Sequence, residues 1–338
     1  MRLSTESIQS RERLAGETRA FSGLVRTAGP RPGTSQNNRL DAPQALLPAR
    51  LMDFVSLTKP EVLLLVLITT AAGGSMASDR FEPWILFNAT IGTGLVAAGT
   101  AALNHLLERA HDKKMRRTAN RPLPAGRLTP RAVLCFGIVL SVSGTVYLAV
   151  NCNVLTSAIG LGALLVYLLL YTPLKRRSDL CTLVGAFPGA APILMGWTAV
   201  RDDLTIGAWI LYAILFFWQF PHFLAIGWMY RDDYARARML MTPPNDPDGI
   251  IAFRRVGVIS SALIVLSFFP AVIGMAGSVY VLAALILGVG MLIAVYRAAS
   301  LRTNASSKEL LHATVIYLPF LFLVMVLDKT ALIYVWLR

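Results

Sequence analysis

The chain has 338 residues, 55% of them hydrophobic and only 15% charged, with a formal net charge of +13. A soluble domain carries about a quarter charged residues, so this composition excludes an ordinary water-soluble globule and points to a chain buried mainly in lipid. The positive balance does not mark a nucleic-acid binder, because the basic residues sit in loops between apolar spans and no basic stretch stands apart from them. Cys135, Cys152 and Cys181 are odd in number and share no metal-like spacing, so they read as packing residues.

Residues 1–50 hold eight Arg, no Lys and four acids among Gly, Pro, Ser and Asn. This segment lacks a signal-peptide apolar core and is expected to be a disordered cytoplasmic extension preceding a membrane domain over 51–338. A mitochondrial presequence is the alternative, opposed by Glu6, Glu12, Glu17 and Asp41, since such segments are poor in acids. Nine apolar spans follow, near 62–78, 84–107, 132–150, 154–171, 183–200, 206–229, 256–275, 278–296 and 310–327. In lipid each must satisfy its own backbone hydrogen bonds, so the expected fold is an all-α polytopic bundle of nine transmembrane helices.

The loops after spans 2, 4, 6 and 8 are basic: Arg109 to Arg131, Lys175 to Arg177, Arg231 to Arg255, and Arg297 to Lys308. The intervening loops carry only Arg80 and Arg201. The positive-inside rule then predicts a cytoplasmic N-terminus; the expected membrane is a bacterial inner membrane, with the mitochondrial inner membrane as the alternative.

The end of span 2 carries Asn104, Glu108 and Asp112 at intervals of four. Each step of four drifts only about 40° on a helix, so the three share one face over roughly 12 Å. Three oxygen-bearing side chains suit Mg²⁺, a hard ion that fills its remaining positions with phosphate oxygens and water. Arg109, Lys113, Arg116, Arg117 and Arg121 lie around them and can neutralise a diphosphate. The plain alternative is a set of interfacial polar residues ending a helix; Asn104, well inside the span, speaks against it.

A second cluster ends span 6, running from Trp218, Gln219, Pro221 and His222 to Tyr230, Arg231, Asp232, Asp233 and Tyr234. The topology puts it on the same side as the first. Pro221 is expected to kink or open the helix and let His222 face a cavity, where it is a candidate for haem iron; a packing histidine is the alternative. Tyr171, Trp197, Phe216, Phe217, Trp218, Tyr230 and Tyr234 are core or interface-belt aromatics, some of which could stabilise an allylic cation.

Together these residues resemble the UbiA superfamily of intramembrane prenyltransferases and, within it, the protohaem IX farnesyltransferases. Asn104, Glu108 and Asp112 match the superfamily's Asn-x-x-x-Asp-x-x-x-Asp, and Met115-Arg-Arg117-Thr118-Ala-Asn-Arg121-Pro122-Leu123-Pro124-Ala-Gly126 matches the narrower signature. Leu57-Thr-Lys59-Pro60, Tyr171-Thr-Pro-Leu-Lys175-Arg176, Gly185 to Pro192 with Gly196-Trp197, and Trp218-Gln-Phe-Pro221-His222-Phe223 with Asp233-Tyr234 match as well, over roughly 51–335. Two departures stand out: Glu108 replaces the usual Asp, and adjacent Asp232 and Asp233 replace a clean second Asp-x-x-x-Asp.

The resemblance implies farnesyl transfer from farnesyl diphosphate to a vinyl group of haem B, with water added to give haem O. It implies metal binding by Asn104, Glu108, Asp112, Asp232 and Asp233, catalytic roles for Arg117 and Arg121, and substrate contacts from Arg109, Lys113, Arg116, Lys175, His222, Arg231 and Tyr234. The expected cofactor is Mg²⁺; the expected partners are membrane lipid and a haem A synthase or haem–copper oxidase assembly. A quinone-precursor prenyltransferase and, from a different class, a secondary transporter are the alternatives.

Overall fold

The structure, a computed structural model, describes residues 47–80, 82–241 and 246–330. The expected 1–50 extension lies outside the described residues, except that Leu47 to Arg50 open helix α1 (Leu47–Leu57). Among the described residues, nine helices are long and apolar enough to cross a membrane. They are α2 (Pro60–Ala77), α3 (Pro83–Asp112), α4 (Pro130–Asn151), α5 (Val154–Leu174), α6 (Cys181–Arg201), α7 (Ile206–Met229), α9 (Ile250–Val272), α10 (Ser278–Leu301) and α11 (Asn304–Leu327). A short helix, α8 (Arg231–Ala237), follows α7. The chain is a multi-pass membrane protein with an all-α fold.

The ends of these helices follow from local chemistry. Pro60, Pro83 and Pro130 open α2, α3 and α4, where the missing N–H costs nothing. Thr129 and Asn153 cap α4 and α5 by accepting from Ala132 and Thr156, and Thr303 and Ser306 close a reciprocal capping box on α11. Helices α9 and α11 begin six residues before the sequence-expected starts of spans 7 and 9; polar residues such as Arg254, Arg255 and Lys308 sit in their second turns, outside the apolar stretch that hydropathy detects.

Helix α6 is the centre of the bundle. Its most apolar window is 72% buried, against 28% for α4, α5 and α9, whose apolar sides face lipid. Close approach to α2 needs glycine. A Cβ on Gly196 would strike the Thr70 carbonyl, and one on Gly73 the Ile193 carbonyl, so these helices pack backbone to backbone. Pro221 does not open α7, which runs unbroken from Ile206 to Met229; Gln219 of that helix donates to the Ala186 carbonyl of α6 at 3.0 Å.

Candidate active site

The C-terminal third of α3 carries the polar row into the protein rather than toward lipid. Asn104 and Asp112 are each 1% exposed and Glu108 is 7% exposed. Burial at this depth requires partners, and each side chain has a cation beside it. Lys59 Nζ donates to Asn104 Oδ1 at 3.1 Å, Lys175 Nζ lies 2.7 Å from Glu108 Oε1, and Arg121 Nη1 lies 2.9 Å from Asp112 Oδ2.

Local irregularities bring those cations in. Lys59 sits in the left-handed region (φ 51°), just ahead of Pro60, so the chain turns sharply between α1 and α2. In α5 the stretch Val166–Tyr171 winds as a π-helix, a feature often found at functional sites. Thr172 seals it by donating to the Tyr167 carbonyl at 2.9 Å, while its hydroxyl oxygen accepts from Asn104 Nδ2 at 3.2 Å. Lys175 follows directly and lies over the Tyr171 ring, 4.4 Å from its centroid.

The cations differ in electrostatics. For Lys175 burial opposes the charge, but Glu108, Tyr171 and Tyr167 outweigh it and hold the ammonium well above the ordinary lysine range. For Lys59 burial dominates, Lys175 adds to it, and the pKa is pushed down to about 8.

Residues 113–128 fold as a cap over the row. Thr118 Oγ1 donates to the Asp112 carbonyl at 2.8 Å, Met115, Leu123 and Leu128 are buried, and Gly126 (φ 76°) makes the turn that L-residues resist. Arg127 ties the cap to α1 through Asp53 at 3.0 Å. On its other side the Arg117 backbone N–H donates to Asp233 Oδ2 at 3.1 Å, Arg117 Nη2 donates to Tyr234 Oη at 3.3 Å, and the guanidinium lies 4.7 Å from the Tyr230 ring centroid. Asp233 also pairs with Arg236. The two acid-bearing helix ends, α3 and α8, thus meet at one cap.

The sequence-expected residues do not all gather there. Asp233 is 7% exposed and faces the cap, whereas Asp232 is exposed, because neighbouring helical residues point about 100° apart. Arg109, Lys113 and Arg116 are exposed too, and Arg109 folds back onto the Leu106 carbonyl. Arg231 binds the Trp228 carbonyl and Asn304 Oδ1, joining α8 to α11 instead of turning to Asp233. The roles of Lys59 and Thr172 were not read from sequence; the Lys-Pro pair at a helix start was the available signal for the first, and nothing local marks the second.

His222 packs on Trp218 with ring centroids 4.8 Å apart, and its Nδ1 lies 2.9 Å from Thr314 Oγ1. The single Thr314 hydroxyl proton is committed to the Leu311 carbonyl at 2.6 Å. The histidine must therefore donate from Nδ1, which leaves the Nε2 lone pair available.

Against the cap lies a cavity of about 370 Å³ lined by Lys59, His105, Arg117 and Arg121 among others. A larger groove of about 750 Å³ between α9 and α10 is mainly apolar and remote from the acid row. Around the row, Lys59, Lys175, Arg117, Arg121 and Arg236 outnumber Glu108, Asp112 and Asp233, an excess suited to an anionic substrate. Asp112 Oδ1 is buried without a partner, which fits a ligand awaiting a cation. Among the described residues no three His, Cys, Asp or Glu converge closely enough to hold an ion alone. The donor set therefore fits a hard cation shared with phosphate oxygens and water, and does not fit a closed protein cage.

A membrane bundle with a carboxylate row, a basic cap and no closed metal cage is the architecture of an intramembrane prenyltransferase. Residues 66–326 match the UbiA prenyltransferase family, and the chain belongs to it. It is 44% identical over 290 residues to the protoheme IX farnesyltransferase of Solibacter usitatus, covering 83% of this chain and 99% of that one. Solved structures with similar folds include a digeranylgeranylglyceryl phosphate synthase (TM-score 0.68, 14% identity, 82% of this chain and 98% of that one). Another is a UbiA homologue from Archaeoglobus fulgidus bound to GPP and Mg²⁺ (TM-score 0.58, 14% identity, 81% and 99%).

Proposed function

We propose that this chain transfers the farnesyl group of farnesyl diphosphate to a vinyl group of haem B and, with water, yields haem O. The observation that carries the reaction class is the meeting of α3 and α8 at one cap, shown by the Arg117–Asp233 hydrogen bond. The haem substrate is supported by the relative at 44% identity, whose name specifies that activity.

Asn104, Glu108, Asp112 and Asp233 are the side chains that would hold Mg²⁺, with diphosphate oxygens and water completing its shell. Bound there, the metal would supply charge neutralisation for the leaving diphosphate. The cations already paired with the carboxylates serve the same end. Lys175 and Arg121 can turn from their carboxylates, and Lys59 from the Asn104 amide oxygen, to phosphate oxygens seated at the row. Arg117 is held over Tyr230 and against Tyr234, so its guanidinium is oriented before substrate arrives.

In the reaction the farnesyl C1–O bond breaks and its electrons leave with the diphosphate. C1 of the allylic cation bonds to the terminal vinyl carbon, and positive charge moves to the carbon next to the porphyrin. Water bonds there and releases a proton to the diphosphate. No covalent enzyme intermediate is required. His222, with Nδ1 fixed by Thr314 and Nε2 open, is the side chain on α7 suited to face haem iron.

The basic loops favour a cytoplasmic cap and N-terminus, the expected membrane is a bacterial inner membrane, and haem O production suits delivery to a haem A synthase or a haem–copper oxidase in assembly. The deciding experiment incubates purified protein and Mg²⁺ with farnesyl diphosphate and either haem B or 4-hydroxybenzoate. Haem O identified by mass is the expected product; a prenylated benzoate without haem O would replace this reading with that of a quinone-pathway enzyme.

A further inference from the structure

His105 is 3% exposed, yet neither of its ring nitrogens has a hydrogen-bond partner. That is unusual, because every imidazole carries at least one N–H, and a buried donor left unpaired is costly. The two neighbouring polar residues on the row, Asn104 and Glu108, have partners; the ring of His105 has none. It is not an isolated core histidine either, since it lines the cavity that also exposes Lys59, Arg117 and Arg121.

Its position on α3 explains why it reaches that space. Steps of three and seven residues put Glu108 and Asp112 within about 60° and 20° of it around the helix axis. His105 thus stands on the Asp112 flank of the polar row, one turn and then a second turn deeper in the membrane than Glu108 and Asp112. The cavity is lined by four cations, Lys59, Arg117, Arg121 and Arg127, against one carboxylate, Asp53. Both oxygens of Asp53 are engaged by Arg127, whereas Arg121 engages Asp112 through Oδ2 alone; the open Asp112 Oδ1 stands about two turns from His105 along α3 and is the atom suited to the cation. The pocket therefore carries an excess of positive charge, and an N–H among these cations needs an acceptor that they would also hold.

We propose that His105 is a substrate-positioning residue whose ring N–H donates to an oxygen of the prenyl diphosphate seated between Lys59, Arg117 and Arg121. This rests on the prenyltransferase reading above. Coordination of the metal by the ring is the less suitable assignment, because Mg²⁺ takes oxygen ligands and keeps its waters. Simple packing is less suitable too, since it would leave the donor without a partner in every state of the enzyme.

The test uses the full chain in detergent and Mg²⁺ with inorganic pyrophosphate as probe, followed by calorimetry. His105→Phe, which keeps a flat ring and removes the donor, should weaken pyrophosphate binding about tenfold, the scale of one hydrogen bond to a charged group. His105→Gln, which restores a donor, should recover most of that loss. In turnover, His105→Phe should raise KM for farnesyl diphosphate more than it lowers kcat, with KM for haem B unmoved. Equal binding by His105→Phe and wild type would overturn the proposal, as would equal impairment of the Phe and Gln variants, which marks a purely structural ring. Asp112→Ala separates the two readings: if it loses pyrophosphate while His105→Phe does not, the diphosphate site stands and the histidine's role falls. Failure of the wild-type chain to bind pyrophosphate would sink both. Should His105→Phe not fold, ¹⁵N-histidine spectra of the wild type decide, because the ring signals of one of the four histidines should move when Mg²⁺ and pyrophosphate are added, and unmoved signals reject the contact.

Discussion

Lys175 Nζ lies 2.7 Å from Glu108 Oε1, joining the cap end of α5 to the row on α3 across 67 positions of sequence. Both side chains are close to fully buried, so each is the other's main compensation. Removing one should cost more than the pair contributes. Lys175→Ala is expected to destabilise the protein by about 3–5 kcal/mol, whereas Glu108→Leu with Lys175→Met should recover much of that stability yet remain inactive. Denaturation in detergent together with haem O formation reads both; a Lys175→Ala protein as stable as wild type would show the pair to be incidental.

Adjacent acids on α8 should behave oppositely. Asp233→Ala and Asp112→Ala are expected to lower haem O formation by about 100-fold or more, the scale of losing a charge-stabilising group at a reacting centre. Asp232→Ala should stay near wild type, because its side chain is exposed and turned from the cap. Product quantification at saturating farnesyl diphosphate discriminates, and comparable losses at 232 and 233 would contradict the burial difference.

Thr314 should matter through His222. Thr314→Val removes the acceptor that fixes Nδ1–H, and loss of such an orienting partner typically costs about 10–100-fold in metal affinity. Haem titration followed in the Soret band should show weaker binding in Thr314→Val and a changed spectrum in His222→Ala. An unaltered spectrum in both would leave His222 a packing residue on Trp218.

Cys152 gives a pH prediction independent of activity. It lies in the turn between α4 and α5, at the far end of these helices from the cap, and burial pushes its thiol up to about 11. The thiolate is the reactive form, so below that pH its fraction rises tenfold for each unit. In a Cys135→Ser protein, alkylation at this position should be slow at neutral pH and climb steadily through pH 10. A rate already level by pH 10 would mean an ordinary, solvated thiol.

Much of this architecture is written locally. The nine spans follow from runs of apolar residues, and Pro60, Pro83 and Pro130 mark helix starts close to where hydropathy sets them. The interval of four between Asn104, Glu108 and Asp112 likewise fixes their shared face, because helical geometry alone decides it. Sequence adjacency misled where it stood for spatial adjacency: Arg109, Lys113 and Arg116 follow the row in the chain but project outward, and Asp232 parts from Asp233 by one helical step.

The sequence by itself determined that the chain crosses a membrane many times and that one helix end carries a face of oxygen ligands, since hydropathy and helical periodicity are properties of short segments. Only the tertiary structure decided which cations meet that face. Lys59 reaches Asn104 through a left-handed turn, Lys175 reaches Glu108 through a π-helical stretch, and Asp233 reaches the cap through a backbone N–H. These choices depend on how distant helices pack, and residues 45, 67 and 116 positions apart are brought within hydrogen-bond distance by contacts that no local pattern encodes.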